Sequence, residues 1–421
     1  MQGVKGSERE NGAGVDQPVW AREEAFPPAG EGFGWIDRKG GRHVSASVDE
    51  LSQTIRGDRD SVVNLVWSPE SAYCKIPEEV EAFEESISEI RKRWVNDDLL
   101  DARHRLKWFG FGLGALVAYM VFQSWKQLGL LQQANGLDLG VVQELKWILK
   151  ALIGSTSVGI SLLGFLIFAF IPWYQAEKRL RELKQSQDSG NSRRIIPLIR
   201  FETWLQGQKA PVTKLILVMI AIVALAQVFF KGSVADAGLV KAAYLNGERW
   251  RLFTAPMLHG GILHFVMNAL GLLYLGKRLE VFARWPHLPM VFLFSALVGG
   301  EASARFTQGT SVGASGGLMG WLGFLLVFET LHSKLIPQSA KRRLIGGVVM
   351  TGLIGLVGYR FIDNAAHFGG LFAGMAYAAI VFPKSSSVLR PKMNITDRLL
   401  GGASLGVIAL SGGFAIMKMM E

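Results

Sequence analysis

Residues 311–320 read Ser311-Val312-Gly313-Ala314-Ser315-Gly316-Gly317-Leu318-Met319-Gly320, and an apolar stretch continues through Trp321 to Thr330. A serine flanked by glycines at the mouth of a membrane-length helix is an unusual place for a hydroxyl. Gly-x-Ser-x-Gly patterns occur in soluble hydrolases on a tight strand-to-helix turn. Here nothing before the serine reads as a strand, and the residues after it read as a transmembrane span. On its own the stretch is accounted for by close helix packing, because small residues favour membrane helix interfaces. Its surroundings decide between packing and chemistry.

The chain has 421 residues, 49% of them hydrophobic, with 49 glycines. With a mean hydropathy of +0.25, it reads as a polytopic membrane protein. The formal net charge is +10. In a membrane protein such an excess marks cytoplasmic loops. No long Lys/Arg block points to nucleic acid. The single cysteine, Cys74, excludes an intrachain disulfide and a cysteine-based metal cluster. Met1 to Asn11 is polar and carries no apolar signal region, which favours a bacterial plasma (inner) membrane.

About 20 apolar residues cross a bilayer. On that measure nine spans are expected: 108–125, 153–174, 215–230, 257–275, 288–300, 315–331, 344–359, 365–382 and 399–417. Basic residues fill every second connection: 175–214, then Lys277-Arg278 with Arg284, then 334–343 and 384–398. This alternation puts the N-terminus in the cytoplasm and starts the Ser315 span from the outer side.

Before the spans the chain is soluble in character. Residues 1–32 are expected to be a flexible N-terminus. Residues 33–107 read as a small cytoplasmic α+β domain with a connector helix. Within them Gly34-Trp35-Ile36-Asp37 leads to a turn at Lys39-Gly40-Gly41-Arg42. A helix comes next, from Ser47 to Arg56, with Ser47 as N-cap and Glu50 three residues on, and then a strand from Val62 to Trp67. This order resembles small GYF-like domains, which implies a protein partner. Glu78 to Arg105 reads as a charged amphipathic helix with Val80, Phe83, Ile87, Ile90 and Trp94 on one face.

Ionisable residues inside spans are costly and tend to be functional. His264 and Asn268 are four apart and share a helix face. His367, Gly370 and Gly374 also share one, and the glycines let a partner helix approach closely. A lone histidine is accounted for by an interhelical hydrogen bond. A serine, a histidine and a His/Asn pair near the outer ends of three spans suit a different chemistry. A serine hydroxyl needs a base to take its proton, and His367 is the candidate. Attack on an amide creates an oxyanion, for which His264, Asn268 and the Ser315 backbone N–H are candidate donors. Asp363 lies at the loop end, and no aspartate within a span suits a third member. The reading is a Ser–His dyad.

These residues resemble the rhomboid intramembrane serine proteases. The likeness rests on Trp250-Arg251, His259, His264-x-x-x-Asn268, Gly276, Glu280, Gly313-x-Ser315-Gly316 and Ala366-His367-x-x-Gly370-x-x-x-Gly374. It covers residues 212–383, a six-helix core. The resemblance implies an all-α polytopic fold for the core and covers a known variation with one extra span after it, following a basic loop (384–421); two extra spans before the core (108–174) and a basic cytoplasmic linker (175–211), read from hydropathy and charge, lie outside it. It implies a serine endopeptidase that cleaves transmembrane segments of membrane proteins. Ser315 would be the nucleophile, His367 the base, and His264 with Asn268 the oxyanion site, with Trp250, Arg251, His259, Glu280, Gly313, Gly316, Gly370 and Gly374 structural. No metal or cofactor is expected. Met319 departs from the tyrosine many relatives carry there, a change that tunes the packing under the histidine. The alternative is a catalytically silent relative that binds membrane proteins. A transporter is disfavoured because the polar residues gather at one depth.

Overall fold

The computed structural model describes residues 17–60, 62–136, 139–189, 196–359 and 362–421. The described residues form two compact units: Pro28–Ile196 with Val349–Ile362, and Pro197–Val348 with Asp363–Glu421 and residues 17–27.

The first unit opens with β1 (Phe33–Asp37), β2 (Arg42–Ser45), α1 (Val48–Gly57) and β3 (Val63–Trp67). The strands form an antiparallel sheet in the order β2-β1-β3. Ser47 caps α1 as expected, accepting the Glu50 N–H at 3.2 Å. The Glu50 carboxylate reaches the N–H of Ala46 rather than that of Ser47. Leu51 and Ile55 of α1 bury against Val66, Phe83, Ile87 and Ile90.

The last two of these lie on α2 (Glu84–Asn135), which runs for 52 residues without a break. The expected connector and first span are therefore one helix. The change from charged to apolar composition alters its surroundings, not its backbone. Next come α3 (Val141–Gly154) and α4 (Thr156–Phe165), and a π-helical turn at Leu166–Phe170 leads into α5 (Ile171–Ser189). Leu99 and Ala102 of α2 pack on Ala176 of α5. Farther along α2, Trp108, Phe111, Tyr119 and Phe122 are exposed, which suits lipid.

The second unit holds α6 (Ile196–Gly207), α7 (Pro211–Phe229), α8 (Ser233–Ala237), β4 (Leu239–Val240), α9 (Lys241–Leu245) and α10 (Arg251–Thr254). It continues with α11 (Ile262–Ala283), α12 (His287–Phe306), β5 (Thr310–Ser311), α13 (Ser315–Leu331), α14 (Gln338–Val357), α15 (Asn364–Val381) and α16 (Ile395–Met420). At its centre is α13, whose Trp321, Phe324 and Phe328 are fully buried. Residues 17–27 are not a flexible lead-in. Trp20 donates to the Leu335 carbonyl at 2.8 Å and packs edge-on against Phe201, and Arg200 lies over the Phe26 ring. The rest of the expected lead-in, 1–16, lies outside the described residues, as do 190–195 of the basic linker.

Most of each of the nine expected spans lies on helix, but the stretch at 344–359, on α14, is not among the helices long and apolar enough to cross a membrane. Among the described residues, six helices are long and apolar enough to cross a membrane, or seven if α10 and α11 count as one bent span. The apolar α13, with 17 residues, is shorter. The expected fourth span starts too early, at Met257. The chain turns by 89° between Arg251–Met257 and α11, where Gly261 has φ +148°.

Arg278, which the charge pattern assigns to a loop, is buried in α11. Its guanidinium forks onto the Glu329 carboxylate of α13 at 2.5 and 2.8 Å, and both side chains are at most 2% exposed.

Candidate active site

The turn into α13 is pinned from two sides. Ser311 pairs with Leu239 in the short β4–β5 ladder, and the Gly313 N–H donates to the Ala255 carbonyl at 2.9 Å. Gly313 has φ +124°, and a Cβ there would lie 2.6 Å from the His264 ring. Both facts require glycine. Ala314 is the N-cap residue of α13 and supplies no side-chain cap. First-turn N–H groups of a helix lack intrahelical partners, and here no described side chain takes them. Ser315, half-buried, is the first residue of that turn.

His367 arrives on α15. The helix is capped by Asp363, whose carboxylate accepts the Ala366 N–H at 3.0 Å, and the Asp363 carbonyl accepts the His367 N–H at 3.1 Å. Close approach of α15 to α13 depends on glycine. A Cβ on Gly370 would lie 2.1 Å from the Gly316 carbonyl oxygen, and one on Gly374 would lie 1.8 Å from that of Gly320. With the helices this close, His367 Nε2 lies 2.8 Å from Ser315 Oγ. Gly374→Ala is therefore expected to wedge the helices apart and cost on the order of 1–3 kcal/mol. Thermal unfolding in detergent checks the loss. Gly316→Ala is the contrast, because its Cβ would meet neighbours at an ordinary 3.7 Å. Gly316 thus lacks the steric reason for glycine that Gly313, Gly370 and Gly374 have.

His264 and Asn268 sit beside the turn on α11. Asn268 is buried, and its Nδ2 donates to the His264 carbonyl at 3.1 Å. That nitrogen would lie 3.7 Å from a Cβ on Gly313. His264 Nδ1 accepts the Gly260 N–H at 3.3 Å. The imidazole proton then sits on Nε2, on the side facing Gly313.

The remaining expected residues form the frame. Arg251 Nη1 donates to the carbonyls of Ala235, Asp236 and Gly238 at 2.9, 3.2 and 2.7 Å, and its guanidinium lies over the Trp250 ring. Glu280 accepts the N–H groups of Val212 and Thr213 at 3.0 and 2.8 Å and so caps α7. A Cβ on Gly276 would lie 2.8 Å from Thr213 and 2.9 Å from Trp321. His259 is buried with both ring nitrogens unpartnered among the described atoms, edge-on to His264. Met319 is buried on α13, one turn below Ser315.

A cavity of about 40 Å³ opens beside Ser315, and Ser303, Ser311 and Asp363 lie in its wall. Sequence reading gives these three no role. Asp363 is visible as a loop-end residue, but its partners lie far off in the chain.

A family profile for the Rhomboid domain matches residues 246–384, which holds α10 through α15. Among curated relatives, Rhomboid protease GluP of Bacillus subtilis (strain 168) is 35% identical over 174 residues, 40% of this chain and 32% of the relative. RHOMBOID-like protein 6, mitochondrial, of Arabidopsis thaliana is 36% identical over 151 residues, 35% of this chain and 48% of the relative. RHOMBOID-like protein 5 of the same plant is 38% identical over 133 residues, 31% of this chain and 43% of the relative. The chain spans less than half the length of each of these relatives. They include plant proteins, one named mitochondrial, so they do not single out a bacterial inner membrane. The chain is a multi-pass membrane protein. Within this helical, multi-span architecture, residues 246–384 carry a Rhomboid domain, and the curated relatives that match it are rhomboid-named proteins.

Proposed function

We propose that the chain is an intramembrane serine endopeptidase working through a Ser315–His367 dyad. One observation carries the reading: His367 Nε2 lies 2.8 Å from Ser315 Oγ at the start of two apolar helices. The curated relative GluP is named a protease. A hydroxyl at hydrogen-bond distance from an imidazole nitrogen is the arrangement that general-base activation needs.

In this mechanism the proton of His367 sits on Nδ1, leaving Nε2 to accept. Ser315 Oγ attacks the scissile carbonyl carbon as its proton moves to Nε2. The carbonyl oxygen becomes an oxyanion. The Ser315 N–H, His264 Nε2–H and Asn268 Nδ2–H are the donors assigned to it. The imidazolium then protonates the leaving amine, and the C–N bond breaks. Water then attacks the acyl ester as His367 takes its proton; the ester C–O bond breaks, the imidazolium returns the proton to Ser315 Oγ, and the carboxylic product leaves. The frame residues Trp250, Arg251, His259, Gly276, Glu280, Gly313, Gly370 and Gly374 hold the loops and helices in register.

Substrates are transmembrane segments that unwind locally, since a helix hides its peptide bonds and glycine or proline exposes them. The N-terminus lies in the cytoplasm, with Ser315 toward the outer surface. The domain at 33–107 serves as a docking module for a protein partner.

Asn268→Ala removes one oxyanion donor and is expected to lower kcat by roughly 10²–10³-fold with little change in KM. Steady-state cleavage of a single-span reporter in proteoliposomes measures both constants. The same reporter tests the function itself. Wild-type protein should cut it within or near its span, and Ser315→Ala should not. A folded wild type that cuts none of a panel of Gly- or Pro-containing single-span reporters would instead support a silent, binding relative.

A further inference from the structure

We infer that Lys241, Ser303, Ser311 and Asp363 form a polar latch that positions His367 against Ser315. The four residues come from α9, the end of α12, β5 and the cap of α15. Lys241 Nζ donates to Ser311 Oγ at 2.6 Å and lies 3.8 Å from Asp363 Oδ2. Ser303 and Ser311 are 3.0 Å apart, and each donates to Asp363 Oδ2. Lys241 is 8% exposed and Ser303 is fully buried, so water does not replace these contacts cheaply.

A helix cap alone would need much less. Capping uses only Asp363 Oδ1, on the Ala366 N–H. The other carboxylate oxygen gathers partners from three further elements. Asp363 therefore ties together the segment four residues before Ser315 and the turn that carries His367. Burial alone would raise the Asp363 pKa, but hydrogen bonds from Ser303, Ser311 and the Ala366 N–H, with Lys241 nearby, hold it below the usual carboxylate range. Burial lowers the Lys241 pKa, and Asp363 opposes that shift. The latch is thus set with an ionised Asp363 at neutral pH. Asp363 is a positioning residue, since no hydrogen bond joins its carboxylate to the His367 ring among the described contacts.

The kinetic part of this inference rests on the peptidase reading, whereas the structural part does not. Asp363→Asn keeps the Oδ1 cap and removes the acceptor that Lys241 and both serines share. Ser311→Ala is a milder variant that cuts the link to the Ser315 loop and leaves both charges. Two quantities are read in full-length protein in one detergent: amide hydrogen exchange over 311–316 and 363–368, and the rate at which a fluorophosphonate labels Ser315. Exchange in both segments should rise at least tenfold in Asp363→Asn and less in Ser311→Ala, with the distant α16 unchanged. The labelling rate should fall at least tenfold in Asp363→Asn. It should fall likewise in Lys241→Met and be largely kept in Lys241→Arg. The Asp363→Asn/Lys241→Met double variant should be no slower than Asp363→Asn alone, because the two act through one unit.

Wild-type exchange in both segments of the folded variants would overturn the latch. So would an unchanged labelling rate, or losses that simply multiply in the double variant. A wild type that does not label would overturn the peptidase reading, and the exchange data would still decide the latch. If Asp363→Asn fails to fold, Ser311→Ala and Lys241→Met carry the same comparison.

Discussion

His367→Ala is expected to lower the rate of reporter cleavage on the order of 10⁴-fold while leaving the protein folded. The hydroxyl of Ser315 is a weak nucleophile unless a base takes its proton as it attacks, and His367 Nε2 is placed for that at 2.8 Å. In the proposed mechanism the imidazole is also the acid that returns a proton to the leaving amine, so both halves of the reaction would lose their proton carrier. The packing cost is small in comparison. His367 is half-buried at the start of α15, and the contact between α13 and α15 rests on Gly370 and Gly374 farther along. Single-turnover cleavage separates the chemical step from binding, and thermal unfolding of the same sample verifies the fold. The variant His367→Ala/Ser315→Ala should be no slower than either single change, because the two residues act as one unit.

Arg278→Met is expected to destabilise the protein by roughly 3–5 kcal/mol. Its guanidinium makes two hydrogen bonds to Glu329, whose side chain is fully buried. Removing the cation strands a carboxylate in an apolar helix bundle, and no other described ion pair is there to replace the arginine. Pairing the change with Glu329→Leu removes the stranded charge too, and most of the loss should then be recovered. Chemical or thermal unfolding of wild type, both single variants and the pair gives the coupling directly. A single variant as stable as wild type would show that the pair contributes nothing.

Some of this structure is legible in the sequence, for identifiable reasons. The quartet Ser315, His367, His264 and Asn268 stands out because polar groups in apolar spans are rare and their spacings put each on a definite face. Gly370 and Gly374 carry a packing signal of the same kind, and the structure shows carbonyl oxygens where their side chains would be. Helix continuity is less visible. A charged segment preceding an apolar one suggests a boundary near residue 107, yet α2 continues from Glu84 to Asn135. Composition reports what a helix touches, whereas its length depends on backbone breakers such as those at Gly260-Gly261.

Charge counting errs at Arg278. It looks like a loop cation because it adjoins Lys277, but it points inward to Glu329, 51 residues on. Trp20 falls in a stretch whose composition reads as a flexible tail, and only the fold brings the Leu335 carbonyl within 2.8 Å of its indole nitrogen. Lys241 and Asp363 are separated by most of the rhomboid domain, and no local pattern links them. Long-range polar pairs of this kind leave no periodic trace in one sequence.

The proposed function makes Ser315 an activated nucleophile. It is tested most directly by reacting the purified protein with a fluorophosphonate, in lipid and in detergent, and mapping the adduct by mass spectrometry. A single adduct is expected on Ser315, absent from both Ser315→Ala and His367→Ala. Labelling that persists in Ser315→Ala, or a folded wild type that stays unlabelled in both environments, would contradict it.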